Sequence, residues 1–131
     1  MFTQTVRESP KNRRGHGQVS HLLLAPGQFG ARHLTITFVE GAPGSCQTLH
    51  AHPESEQVYV IVRGRGRMDV ADEQQDVDAG TLVFVPPGAT HAIYNPGPDQ
   101  LMYVSATSPP LPSSAVEGVW MTDRQAGDQS A

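Results

Sequence analysis

The sequence predicts an all-β, single-domain protein of the sandwich or barrel kind, and three observations lead there. Runs rich in Val, Ile, Thr, Tyr and Phe recur every 8 to 12 residues or so. Turn-forming residues punctuate those runs, since the 131 residues include 13 Gly and 11 Pro. No stretch places apolar residues at helical period. The length suits one domain and is enough to bury a core. Internal repeats and low-complexity segments are absent.

Residues 1–17 are polar and read as an N-terminal arm, 18–112 as the barrel, and 113–131 as a tail. "QVSHLLLAP" (18–26) is a first strand, stopped by Pro26 and Gly27. "ARHLTITFVE" (31–40) follows as a strand, and "GAPG" (41–44) reads as a turn. "SCQTLHAH" (45–52) is extended and ends at Pro53. "EQVYVIVRG" (56–64) is apolar at both parities, which predicts a strand covered on both faces. Shorter strands follow over 66–71, 74–80, 81–88 and 90–95, and "QLMYVSAT" (100–107) is the last strong one. "SPPLPSS" (108–114) cannot enter a sheet centrally.

The net charge is −4 without a long basic run, which argues against a phosphate-neutralising nucleic-acid surface. The one basic cluster, "KNRR" (11–14), reads as a solvated segment. Cys46 is the only cysteine, so an intrachain disulfide is excluded; it reads as a small buried thiol. The opening residues lack an apolar signal region, and no run approaches the roughly 18 apolar residues of a membrane helix. The expectation is a cytoplasmic protein without membrane partners.

The chemistry concentrates in "LHAHPESEQVYVIVRG" (49–64). Side chains two apart on a strand leave from one face, so His50 and His52 point together, as a divalent-metal chelate requires. A second block, "GTLVFVPPGATHAIYN" (80–95), carries Pro86, Gly88, His91 and Asn95. Together the blocks resemble the two motifs of the cupin superfamily, G-x5-H-x-H-x3,4-E-x6-G and G-x5-P-x-G-x2-H-x3-N. The second motif is matched in full; the first is matched at Gly44, His50, His52 and Gly64.

The resemblance implies a cupin-type double-stranded β-helix, a jelly-roll barrel, with one divalent metal ion: zinc first, then iron, nickel or manganese. It implies His50, His52 and His91 as ligands. The fourth ligand in the family is a Glu, and here the motif offers Glu56 or Gln57. The six-residue gap to the following glycine selects Gln57, a departure from the family; Glu56 reaches the site only through a bulge. Four neutral donors leave the full charge on the ion. Counting inward positions of residues 31–40 as in cupins gives Val39, Thr37, Thr35 and His33, with Leu34, Ile36 and Phe38 behind. His33 is the candidate catalytic acid or base, or else a fourth imidazole ligand. His16 and His21 read as surface. Asn95 reads as a turn cap, and Tyr59 with Met102 or Tyr103 as cavity lining or core.

"NRRGHGQVSHLLLAP" with a late "SATSPPLP" is similar to small cupins of bacterial polyketide clusters, some of which cyclise poly-β-keto chains. That resemblance implies a metal-dependent cyclase or isomerase of a small carbonyl substrate. An Fe(II) dioxygenase and a non-catalytic ligand-binding cupin are the alternatives. A homodimer formed through the first strand and outer sheet is the expected assembly.

Overall fold

The computed structural model describes residues 1–111. Nine strands run β1 Lys11–Arg14, β2 His16–Leu24, β3 Thr35–Cys46, β4 Glu56–Arg63, β5 Arg65–Val70, β6 Glu73–Asp78, β7 Leu82–Val85, β8 His91–Tyr94 and β9 Leu101–Ser108. All pair antiparallel in one curled sheet of order β6-β5-β8-β3-β9-β4-β7, with β2 added along β3 and β1 along β2. Among the described residues no helix is long and apolar enough to cross a membrane.

The jelly roll closes because β3 belongs to two walls. Residues 35–41 pair with β9, while Cys46 pairs with Tyr94 of β8. The segment 41–44, expected as a turn, is therefore strand. Gly44 adopts φ +84° and the Gly44 amide donates to the Asn95 carbonyl at 2.8 Å, so the chain bends from one wall to the other instead of reversing. Gly64 is needed for a different reason: at φ +81°, a Cβ there would run into the carbonyl oxygen of Gln100.

Alternation sorts each strand. On β4, Gln57, Tyr59 and Ile61 are buried; on β9, Leu101, Tyr103, Ser105 and Thr107 are buried. The core gathers Val39, Tyr59, Ile61, Met68, Val77, Val85, Ile93, Leu101 and Tyr103. Tyr59 and Tyr103 stack at 5.0 Å between centroids. The opposite face of β4 is only half covered among the described residues, against the expectation from its apolar run: Val58 and Val60 are half-buried and Val62 is 46% exposed.

Two further expectations are corrected. Residues 11–14 and 16–17 are strand rather than arm, joined by a turn at Gly15 and held by pairs such as Asn12 with Ser20 and by the Leu22 amide donating to the Pro10 carbonyl. His21 is buried, not at the surface, because β2 is flanked by both β1 and β3; the His21 Nε2 lies 2.9 Å from a Glu40 carboxylate oxygen. Cys46 is partly buried. The expected tail, 113–131, lies outside the described residues, as does the barrel's assigned last residue, 112.

Candidate metal centre

The two sequence blocks meet through backbone. His50 and His91 form an antiparallel bridge, the His91 amide donating to the His50 carbonyl at 2.8 Å and the His50 amide to the His91 carbonyl at 3.2 Å. The turn after β7 is tied to the same segment, since the Gly88 amide donates to the His52 carbonyl at 2.8 Å. Gly88 adopts φ +81°, which the two prolines before it cannot, and the reversal leads the chain back to His91.

The result is a cluster of imidazoles. His50, His52 and His91 each offer a ring nitrogen, and these atoms lie within 4.8 Å of one another. Ring centroids are 4.1 Å apart for His50–His91, 5.0 Å for His50–His52 and 5.3 Å for His52–His91. Backbone carbonyls fix two of the rings: the His50 Nδ1 lies 2.8 Å from the Thr48 carbonyl and the His91 Nδ1 3.0 Å from that of Ala89. With each Nδ1–H donating there, Nε2 is left as the lone-pair donor, the arrangement a metal ligand needs.

Gln57 lies on the inner face of β4 and is 8% exposed, whereas Glu56 is exposed on the opposite face. The Gln57 Nε2 donates to Ser105 Oγ at 2.6 Å, which turns its Oε1 toward His91 Nε2 at 3.1 Å. A neutral His91 with its proton on Nδ1 meets that oxygen lone pair to lone pair. A cation between them satisfies both, so this donor set fits a divalent ion.

The electrostatics favour neutral ligands. Burial, with His50 and His52 adding to it, pushes His91 down to about 4, although its Ala89 hydrogen bond pulls the other way. Burial and then His50 lower His52. Metal binding requires unprotonated imidazole, so protons compete weakly here.

The centre opens into a cavity of about 440 Å³, within the range of small-molecule sites. Its lining includes Thr35, Thr37 and Val39, the inward set expected from residues 31–40, but not His33. β3 starts at Thr35, so strand alternation never extends to His33, which is exposed in the preceding bend. His33 therefore stands outside the cavity lining, away from the catalytic role expected of it. Tyr59 and Tyr103 also line the cavity, while Met102, of opposite parity, does not. Burial pushes both phenols up, so they stay protonated. Tyr59 donates to Gln47 Oε1 at 3.0 Å and Tyr103 to Gln18 Oε1 at 3.3 Å. Asn95 is a structural cap: its Nδ2 donates to the Gly41 and Asp99 carbonyls at 3.0 and 2.8 Å.

Sequence reasoning missed Ser105, Thr107, Ser20, Gln47 and Arg14 among the lining residues. For the first two the signal was present, because Leu101, Tyr103, Ser105 and Thr107 share one parity. Arg14 arrives on β1, in the segment taken for an arm.

The Cupin domain family profile matches residues 37–107, and the chain belongs to that family. An uncharacterised protein, MJ1618, of Methanocaldococcus jannaschii is 37% identical over 94 residues, covering 72% of this chain and 75% of the relative. The tetracenomycin polyketide synthase protein TcmJ of Streptomyces glaucescens is 30% identical over 104 residues, covering 79% and 68%. Among solved structures, a predicted oxalate decarboxylase from Thermotoga maritima superposes with TM-score 0.74 at 20% identity, covering 82% of this chain and 98% of that one. The polyketide cyclase RemF from Streptomyces resistomycificus gives 0.72 at 18%, covering 86% and 82%.

Proposed function

We propose that this cupin is a metal-dependent enzyme, a cyclase or isomerase of a small carbonyl substrate, with His50, His52, His91 and Gln57 holding one divalent ion. The observation that carries the reading is the convergence of three imidazoles with the Gln57 amide oxygen 3.1 Å from His91 Nε2. When bound by four neutral donors, the ion keeps its full charge and acts as a Lewis acid on a carbonyl oxygen.

The chain's own residues do the rest. The Thr48 and Ala89 carbonyls orient two imidazoles, and Ser105 orients the amide. The stacked tyrosines close the floor of the cavity as protonated groups. No Asp or Glu lines the cavity among the described residues, which favours carbonyl polarisation over proton abstraction by a carboxylate. The polyketide-synthase relative TcmJ supports a carbonyl-rich substrate. A homodimer is carried forward as part of this reading, with Val62, Leu82 and Phe84 as its exposed apolar surface.

The test is metal content by mass spectrometry, paired with turnover of a poly-β-keto substrate before and after metal stripping. Wild type should hold about one equivalent of metal, zinc first among the candidates. His91→Ala should lose it, with affinity down by ~100-fold or more, and Gln57→Ala should weaken it. Turnover that survives stripping undiminished would sink the reading. Iron together with oxygen consumption would replace it with a dioxygenase. An absence of metal after reloading would leave ligand binding without chemistry.

A further inference from the structure

The wall beside the centre is polar in a regular way. Strand pairing sets Thr35 opposite Thr107 and Thr37 opposite Ser105, then Thr107 opposite Gln57 and Ser105 opposite Tyr59. All of these side chains line the cavity. The four hydroxyls form a two-by-two block, about 4.8 Å across strands and ~7 Å along them. Ser105 is committed to Gln57. Thr35 is different: it is 4% exposed, and its Oγ1 has no hydrogen-bond partner among the described residues.

A buried hydroxyl without a partner is destabilising, and Val fills the same space without that cost. The same barrel places Ile61, Val85 and Leu101 inward away from the cavity. The four hydroxyls of this block instead face the cavity that His50, His52 and Gln57 also line. A Thr hydroxyl both donates and accepts, so it pairs with a keto oxygen or a hydroxyl, whereas a hydrocarbon leaves it unpaired.

We propose that Thr35, Thr37 and Thr107 orient an oxygen-rich substrate, one bearing carbonyl or hydroxyl oxygens in addition to the oxygen presented to the metal centre. This substrate class rests on the metal-dependent reading above. These threonines are the specificity-determining residues, and Thr35 is the leading one.

The probes are 3,5-dioxohexanoate and hexanoate, which share chain length and charge, so the comparison is blind to the cation Arg14 at the cavity. Titration calorimetry on the protein with its purified metal content should give the diketo acid at least about a tenfold preference. Thr35→Val should reduce that preference by roughly tenfold, while metal content is retained and the unfolding temperature holds or rises. Thr37→Val provides a second variant should the first fold poorly.

A wild type that binds both acids equally overturns the proposal, as does an unchanged preference in both variants. Metal stripping separates the two readings. If turnover proves independent of metal but the Thr35-dependent preference persists, the metal-dependent reading falls and the polar wall stands. If metal dependence holds and the preference is flat, the polar wall alone is wrong.

Discussion

The two ends of the barrel interior are built by the same strands and do opposite things. β4 contributes Gln57 at one end and Ile61 at the other; β9 contributes Thr107 and Leu101; β8 contributes His91 and Ile93. At the closed end Ile61, Met68, Val77, Ile93 and Leu101 exclude water. At the open end His50, His52, Gln57 and the hydroxyl wall face the cavity. Tyr59 and Tyr103 divide the two, stacked against each other with their hydroxyls satisfied by Gln47 and Gln18. Strand parity decides which side chains point inward, and position along the strand decides whether they supply packing or chemistry. The closed end is where burial stabilises the fold, and the open end is where polar groups are tolerated because they pair with one another or with a ligand.

That division of labour can be broken. Leu101 is fully buried at the closed end, so Leu101→Ala should lose about 2–5 kcal/mol in urea unfolding, from lost transfer energy and a residual cavity. Metal affinity should stay within about twofold, since well-separated sites act independently. A variant that lost metal as severely as His91→Ala would show that the ends are coupled and the comparison is wrong.

The open end should carry the pH dependence. His91 falls from its ordinary 6.5 to about 4 on folding because burial disfavours the charged ring. Between those values the unfolded chain binds the proton and the folded protein does not. The stability of metal-stripped protein should therefore be complete above pH 6.5, fall as the pH drops toward 4, and level off below. Solvent screening keeps the loss below the ~3 kcal/mol that the full shift would give. Unfolding curves of wild type and His91→Gln between about pH 7 and 4 check it. A slope of equal size in the variant would place the dependence elsewhere, with the half-buried His52 the next group to examine.

Much of this was legible in the sequence, for identifiable reasons. The spacing of Gly44, His50, His52, Gly64, Pro86, Gly88 and His91 encodes turns and a shared strand face, which are local properties, and the barrel and imidazole cluster follow from them. His33 and the N-terminal residues were misjudged because strand ends depend on pairing partners. β3 begins only at Thr35 and leaves His33 in a bend, while β2 gains a neighbour in β1 that polar composition does not advertise. The GAPG segment has turn chemistry, yet the partners on either side draw it into strand. Ser105 and Thr107 were hidden by type, because a Ser or Thr on a strand reads as filler until its register against Gln57 is known.

The smallest predicted effect tests whether the open end is organised beyond its ligands. Ser105 Oγ holds Gln57 Nε2 at 2.6 Å, and that bond keeps the amide oxygen on the His91 side. Ser105→Ala leaves the Gln57 amide to turn over, with its nitrogen toward His91, where it competes with a cation instead of recruiting one. Metal affinity should fall by about tenfold, the lower range for a group that orients a ligand, and Ser105→Thr should restore it. Because Ser105 acts through Gln57, Gln57→Ala combined with Ser105→Ala should bind metal no more weakly than Gln57→Ala alone. Full additivity in that cycle would mean that Ser105 stabilises the centre by another route, and the hydroxyl wall would then be a structural layer of the barrel rather than part of its chemistry.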